Sequence, residues 1–485
     1  MLSRWWPLIL VCLFVLWIYS PVLGVYFSQD DFFHFKASLT DGKLESFINL
    51  FGFPSFSERG YAFYRPVFRE GLFNIYYQLF GLNHLPFRLL SISIHLINTV
   101  LVYTLMQKIF AKKFLSLFTA FFFRITAANV ALLYYLAGGI QALGVTMFML
   151  LTLICWWQYL QEGKIKWWIL SLVVFLLSLA SHELAITTPF LMLGMVWIKG
   201  KNIKMVWPFF LILLIFIYLD FVKIGLLQKD AQYQAVFSLP KIINSFAWYT
   251  VWAAGMPEML IDFIGPKLSL NPNLMKFWGD YFKIIFPAFF LSIGLIIIFI
   301  INLWRKNKSA LLDKKFIFLL FWFPIAISPV ILLPLHKSTY YLAPALPAFW
   351  GVIGYLIFSN KMNLLKVILI TSLVVLSVTS IKLGDRTYPA AVRGRIAEKL
   401  INNVLTTYPT LPKGAIVYFV NDPSYPKISG DWGGSSRQAA YILNNSDALQ
   451  LLYHDFNLKV FYEDLGGIPK DILSTEIKSI VAKIQ

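Results

Sequence analysis

Two adjacent carboxylates, Asp30-Asp31, follow directly on an apolar run that ends at Phe27, so ionisable groups reach a membrane surface without entering hydrocarbon. Such a pair can take a proton from a hydroxyl; it can equally be a solvated loop or cap a helix N-terminus. Arg65 and Arg69 flank a proline-containing turn and could fork onto phosphate oxygens, while His336 and Lys337 could neutralise the same anion from another side. Anchoring to lipid headgroups is the competing reading for these cations. His182-Glu183 lies in a short junction between two apolar runs, where a glutamate is costly unless paired or wetted by a cavity. His95 sits inside an apolar run, where packing and an interhelical hydrogen bond compete with a catalytic role. A base beside an incoming oxygen and cations around a departing anion together describe group transfer from a phosphate. Asp30, Asp31, Glu183 and a histidine would also suit a divalent cation, although their spacing defines no metal site and no other cofactor is implied.

The elements that must position these residues are set by composition. With 58% hydrophobic and 14% charged residues over 485 positions, there is too little polar surface to clothe a soluble globule, so the chain is a polytopic membrane protein. The net charge of +18 comes from short basic clusters between apolar runs, the pattern of orientation determinants rather than of nucleic-acid binding. Cys12 and Cys155 lie inside apolar runs and suggest neither a disulfide framework nor a thiolate metal site.

The first run, from Trp5 to Phe27, reads as an uncleaved span. Runs at 86–107, 115–136, 140–159, 167–180, 184–198, 206–222, 284–303, 316–333, 341–358 and 367–381 bring the expectation to about eleven transmembrane helices of roughly 20 residues each. Every second short connection is basic, as at Lys112-Lys113, Lys164 to Lys166 and Lys199 to Lys204. That alternation predicts a cytoplasmic N-terminus, with segments 28–85, 223–283 and everything after Lys382 outside. The apolar stretch Phe246 to Ile264 would break the alternation if it crossed, so it reads as re-entrant or interfacial, and its aromatics Phe246 to Trp252 could form a groove for a lipid chain.

Beyond Lys382 the long apolar runs stop. A helical pattern near 391–405, strand-like Ala415 to Val420 and Leu458 to Tyr462, and a polar Gly430 to Ser436 turn predict a small α/β domain. Gly433-Gly434-Ser435-Ser436 lacks the spacing and lysine of a phosphate-binding loop.

Phe27-Ser-Gln-Asp-Asp-Phe-Phe33, Tyr64-Arg-Pro-Val-Phe-Arg69, Phe80-Gly-Leu-Asn83 and His95-Leu-Ile-Asn98 together resemble the glycosyltransferase C (GT-C) superfamily, and within it the relatives of the protein O-mannosyltransferases. The resemblance spans about residues 5 to 380. It implies that an acidic residue of the first outer loop serves the active site and that the sugar donor is a polyprenyl-phosphate monosaccharide. Ser181-His-Glu183 is similar to an element the family places near its catalytic face, and His336-Lys-Ser-Thr-Tyr-Tyr341 to a basic-aromatic element offered to the donor phosphate. The chain departs from relatives at Thr126-Ala-Ala-Asn-Val-Ala131 and Gly138-Gly-Ile-Gln141, where ionisable groups are replaced.

The expectation is an all-α polytopic membrane protein with a small extracytoplasmic α/β domain: residues 1–381 form the membrane part and 382–485 the tail. Asp31 or Asp30 would act as general base in an inverting transfer of sugar from the lipid phosphate to a hydroxyl of a protein, lipid or polysaccharide acceptor. Arg65, Arg69, His336 and Lys337 would hold the phosphate, and His182, Glu183, His95 and Tyr341 would support the site or the acceptor. A transporter or flippase, or a noncatalytic scaffold of the same ancestry, is the alternative. A transporter would show repeats with broken helices and charges within the spans.

Overall fold

A computed structural model of the chain describes residues 2–225, 231–426, 433–469 and 477–484. Each of the eleven expected apolar runs is helical over most of its length. Among the described residues, seven segments are long and apolar enough to cross a membrane: Trp6–Gly24, His84–Phe110, Leu136–Glu162, Ile203–Ile224, Asn273–Lys306, Lys314–Ile331 and Asn363–Thr387. The other four expected spans are the shorter helices Lys113–Ile125, Ile165–Leu179, Thr188–Lys199 and Leu346–Ser359. At 1.5 Å per residue these measure about 18–23 Å, against roughly 30 Å of hydrocarbon. Breaks shorten them: the backbone turns extended at Thr126, and tight turns at Glu183–Thr187 and Thr339–Leu342 occupy what sequence alone reads as the starts of two spans. The chain is thus a multi-pass membrane protein built from helices of unequal length.

Leu136–Glu162 is the central helix, buried along most of its length against His84–Phe110 and Ile165–Leu179. It ends at Gly163, whose φ of +70° closes the last turn as few other residues can. On its other side Gly144 lets Phe68 approach so closely that a Cβ would lie 2.0 Å from the ring. That contact seats the wide turn Val67–Gly71, in which the Gly71 amide donates to Pro66 five residues back at 2.7 Å, against the central helix.

The first outer segment folds into short helices, among them Asp30–Ala37 and Leu72–Phe80. The stretch expected to be interfacial forms the helix Leu239–Ala253 followed by a turn at Glu258–Phe263. At 15 residues that helix is also too short to cross alone.

The tail begins with Pro389–Thr407, proline at the first helical position, after a bend at Tyr388; the preceding helix, Asn363–Thr387, runs past residue 381. Strands β1 (Ile416–Asn421), β2 (Lys459–Tyr462) and β3 (Ile477–Ala482) form one parallel sheet in the order β2-β1-β3. β1 and β2 fall on the expected strand-like runs, and β-branched and aromatic residues suit their pleated positions; β3 was not foreseen. Of the polar turn expected at Gly430 to Ser436, residues 430–432 lie outside the described residues. The remainder leads into the helix Ser435–Ile442, whose first amides are taken by Asp464 (to Gly434) and by Asn421 Oδ1 (to Ser436, 2.9 Å).

The α/β tail docks on the first outer segment. The Gln29 amide donates to the Ile442 carbonyl at 2.8 Å, Lys36 pairs with Asp447 at 2.7 Å, and Tyr77 donates to Leu451 at 3.0 Å. Gly394 permits the tail's first helix to close on the Tyr26 carbonyl, which a Cβ would meet at 2.6 Å.

Candidate active site

Between the membrane helices and the docked tail lies a cavity of about 790 Å³, within the range of small-ligand sites. Asp30, Arg65, Arg69, His336 and Tyr341, five of the residues singled out in the sequence, line it.

The helix Asp30–Ala37 separates the two adjacent carboxylates. Successive side chains on a helix point about 100° apart, so one of the pair faces the cavity and the other the protein. Asp30 is exposed there, and Tyr135 donates to its Oδ2 at 2.5 Å. Asp31 is buried, outside the cavity lining: Oδ2 accepts from the Ser28 amide at 3.0 Å and Oδ1 from the Ala137 amide at 2.7 Å, which ties the outer loop to the start of the central helix. Burial pushes the Asp31 carboxyl up to about 6, against the pull of Arg88 and the two amides. Arg88, buried in the helix His84–Phe110, clamps the carbonyls of Val25, Tyr26, Leu133 and Tyr134 at 2.9 to 3.1 Å, which braces the same junction.

Arg65 and Arg69 reach the cavity wall already neutralised. Arg65 forks onto Glu183, with Nη2 to Oε2 at 2.9 Å and Nε to Oε1 at 3.0 Å, and donates through Nη1 to Gln141 at 2.9 Å. His182 Nδ1 adds a third partner to Glu183 at 3.0 Å. Burial would raise the Glu183 carboxyl, but Arg65 and His182 outweigh it and hold it well below the usual carboxylate range. Burial and Arg65 in turn keep His182 below the ordinary imidazole value. Arg69 bonds the carbonyls of Ala62 and Phe63 at 2.9 and 2.6 Å and pairs with Glu70 at 2.5 Å. Asp220, from the end of an apolar helix, fastens the Tyr64 amide at 2.7 Å, so this whole loop is nailed down by carboxylates. The expected phosphate-binding pair is therefore spent largely on holding the wall.

Besides Asp31, and His182 and Glu183, which pair behind Arg65 outside the lining, two expected members lie elsewhere. Lys337 donates to the Pro334 carbonyl at 2.5 Å and lines a separate cavity of about 210 Å³ beside Asp262. His95 is fully buried in the bundle, hydrogen-bonded to Arg124 and edge-on to Tyr19 at 5.6 Å, and is not among the residues that line the cavity. Its polar partner is interhelical, the packing alternative. The aromatics Phe246 to Trp252 do not line the cavity either, but Glu258 of the same stretch does, its carboxylate bound by Ser338 and by the amide (2.9 Å) and hydroxyl of Thr339.

Other lining residues gave little sign in the sequence. His34, one turn beyond Asp30, is kept far below the ordinary imidazole value by burial and then by Arg69 and Arg65, so it presents a neutral ring. Gln29 and Phe63 take left-handed φ of 52° and 66° without being glycine, a costly backbone state that clusters at functional sites. Asn444 and Asn445 of the tail share this sign of φ and also line the cavity. Backbone φ leaves no mark in residue type at these positions, and no local pattern sets Arg393 or Arg437 apart.

Among the described residues no three His, Cys, Asp or Glu side chains converge as metal ligands. The candidates are otherwise engaged: both Asp31 oxygens hold backbone amides and Glu183 holds Arg65 and His182. This donor set does not fit a divalent cation.

Residues 65–221 match the family model for dolichyl-phosphate-mannose-protein mannosyltransferase. No curated protein matches the chain. The matched segment contains the Arg65, Glu183 and Asp220 network, and Asp30 lies upstream of it. With the apolar helices, this match supports a multi-pass membrane glycosyltransferase of the GT-C type, similar to the protein O-mannosyltransferase group.

Proposed function

We propose that the chain transfers a sugar from a polyprenyl-phosphate monosaccharide to an acceptor hydroxyl on the extracytoplasmic face, by a single inverting displacement with Asp30 as general base. The observation that carries this reading is the split of the carboxylate pair: Asp30 faces a cavity of substrate size with Tyr135 as its one hydrogen-bond partner among the described residues, while Asp31 is consumed by two backbone amides. In the step, Asp30 takes the acceptor proton as the acceptor oxygen bonds to C1 of the sugar. The C1–O bond to phosphate breaks, and polyprenyl phosphate leaves with the bonding electrons. Base assistance of this kind is worth about 10²–10⁴-fold.

Tyr135 orients the carboxylate. The wall formed by Arg65, Gln141 and Glu183 is rigid and charge-balanced, so it shapes the cavity without drawing in counter-ions. The N-terminus is assigned to the cytoplasm and the tail to the outer face on the alternation of basic connections.

Labelled sugar transfer from polyprenyl-phosphate monosaccharides in reconstituted full-length protein tests the reading. Wild-type transfer that Asp30→Asn removes, with the variant still monodisperse, is the expected result. Undiminished transfer by Asp30→Asn would refute the base assignment, and no consumption of any donor by folded wild type, with cell extract as acceptor source, would refute the activity.

A further inference from the structure

The cavity has basic residues on both walls, but they are not equivalent. On the membrane wall Arg65 is paired with Glu183, and Arg69 shares Glu70 with Arg59. On the tail wall Arg393 and Arg437 have no carboxylate partner among the described residues. The contrast is sharp even within one helix of the tail: Arg395 is paired with Asp385, and Arg393, two positions earlier, is not. Arg393 uses one nitrogen, donating from Nη1 to Gln29 Oε1 at 2.6 Å, and its guanidinium lies 4.7 Å from the centre of the Tyr441 ring. These contacts fix the fork and leave most of its donors unspent. A planar, oriented guanidinium with spare donors at the wall of a polar cavity is suited to a phosphate.

We propose that the C-terminal domain completes the donor site: Arg393 and Arg437 bind the phosphate group of the lipid-linked sugar, in place of the internally neutralised Arg65 and Arg69. This rests on the polyprenyl-phosphate donor proposed above. Gln29, the residue that Arg393 holds, directly precedes Asp30 in a left-handed conformation, and its amide is bonded to the tail at Ile442. The tail thus holds the residue next to the base, through its side chain, with the same arginine that meets the leaving group. Removing the tail's arginines should weaken donor binding, and phosphate binding should in turn steady the position of Asp30.

The test is binding of three probes to full-length protein in nanodiscs: polyprenyl phosphate, the uncharged polyprenol of the same length, and inorganic phosphate as competitor. Wild type, Arg393→Gln and Arg437→Gln are compared. Wild type should prefer the lipid phosphate, and each variant should lose about tenfold or more of that affinity with polyprenol binding unchanged. Misfolding would lower both lipids together, and the two variants lie on separate helices, so one remains informative if the other fails to fold. A phosphate preference retained in both variants overturns this assignment and leaves the donor intact. No preference in wild type overturns the donor reading itself. Displacement of the lipid by inorganic phosphate at comparable concentration would assign the arginines to a free anion and overturn their role toward the donor.

Discussion

The two walls of the cavity treat charge in opposite ways. The membrane-side wall packs its arginines against carboxylates, Arg65 with Glu183 and Arg69 with Glu70, and all four side chains are largely buried. The tail-side wall presents Arg393 and Arg437, partly exposed and without a carboxylate among the described residues. Desolvated charge is expensive unless paired, so the buried wall is committed to architecture, and the half-exposed wall is where charge can be offered to a ligand. The bundle interior adds a third case: Arg124 is buried against His95 with no carboxylate partner among the described residues.

The largest effect that would sharpen this contrast is on chemistry. Asp30→Asn should lower transfer by about 10²–10⁴-fold while the protein remains folded, read by labelled-sugar incorporation beside size-exclusion profile. Next comes the membrane wall: Glu183→Ala strands Arg65 and should cost roughly 3–5 kcal/mol of stability, seen as a large fall in melting temperature. An unchanged melting temperature there would break the distinction between the walls.

A smaller effect belongs to Asp31. Asp31→Asn forfeits one of two backbone bonds, at about 1–3 kcal/mol, because its amide nitrogen cannot accept from a second N–H. Its pH dependence has a defined sign. The folded carboxyl titrates near 6, above its unfolded value, so the stability it contributes is fully present below the ordinary carboxylate range and is lost as pH rises through about 6. The melting gap between wild type and Asp31→Asn should therefore be wider at pH 4 to 5 than at pH 8. A gap that widens toward alkaline pH would contradict it. The smallest effect is on the tail wall, where Arg437→Gln should shift stability by no more than about 0.5 kcal/mol, since it breaks no ion pair among the described residues.

Much of the site was legible in the chain. Asp30, Arg65, Arg69, His336 and Tyr341 were identified by residue type and by their place next to apolar runs, and they meet at one cavity although up to 311 positions separate them. His182 and Glu183 were found by the cost of a carboxylate in a tight junction, and Glu183 is indeed paired. His95 and Lys337 resembled the others locally and lie elsewhere, because sequence adjacency to an apolar run gives depth but not azimuth around a helix. The break at Thr126 was hidden inside an apolar run, where hydropathy averages over a turn, whereas the turns Glu183–Thr187 and Thr339–Leu342 straddle the starts of two expected runs.

Composition alone established a multi-pass helical membrane protein, because apolar runs of span length with few charges have one stable environment. Residue type alone singled out carboxylates and guanidinium groups as the candidates for surface chemistry. Only the tertiary structure decided which of two neighbouring aspartates meets the cavity, since a rotation of about 100° per helical residue sends one inward and the other outward. It also decided which arginines are paired with a carboxylate and which, among the described residues, are not, because an ion pair such as Arg65 with Glu183 joins residues 118 positions apart and leaves no local trace. And it brought the tail to the cavity through a bond between Gln29 and Arg393, 364 residues apart, a contact that depends on how two folded segments dock and on nothing in either segment's own pattern.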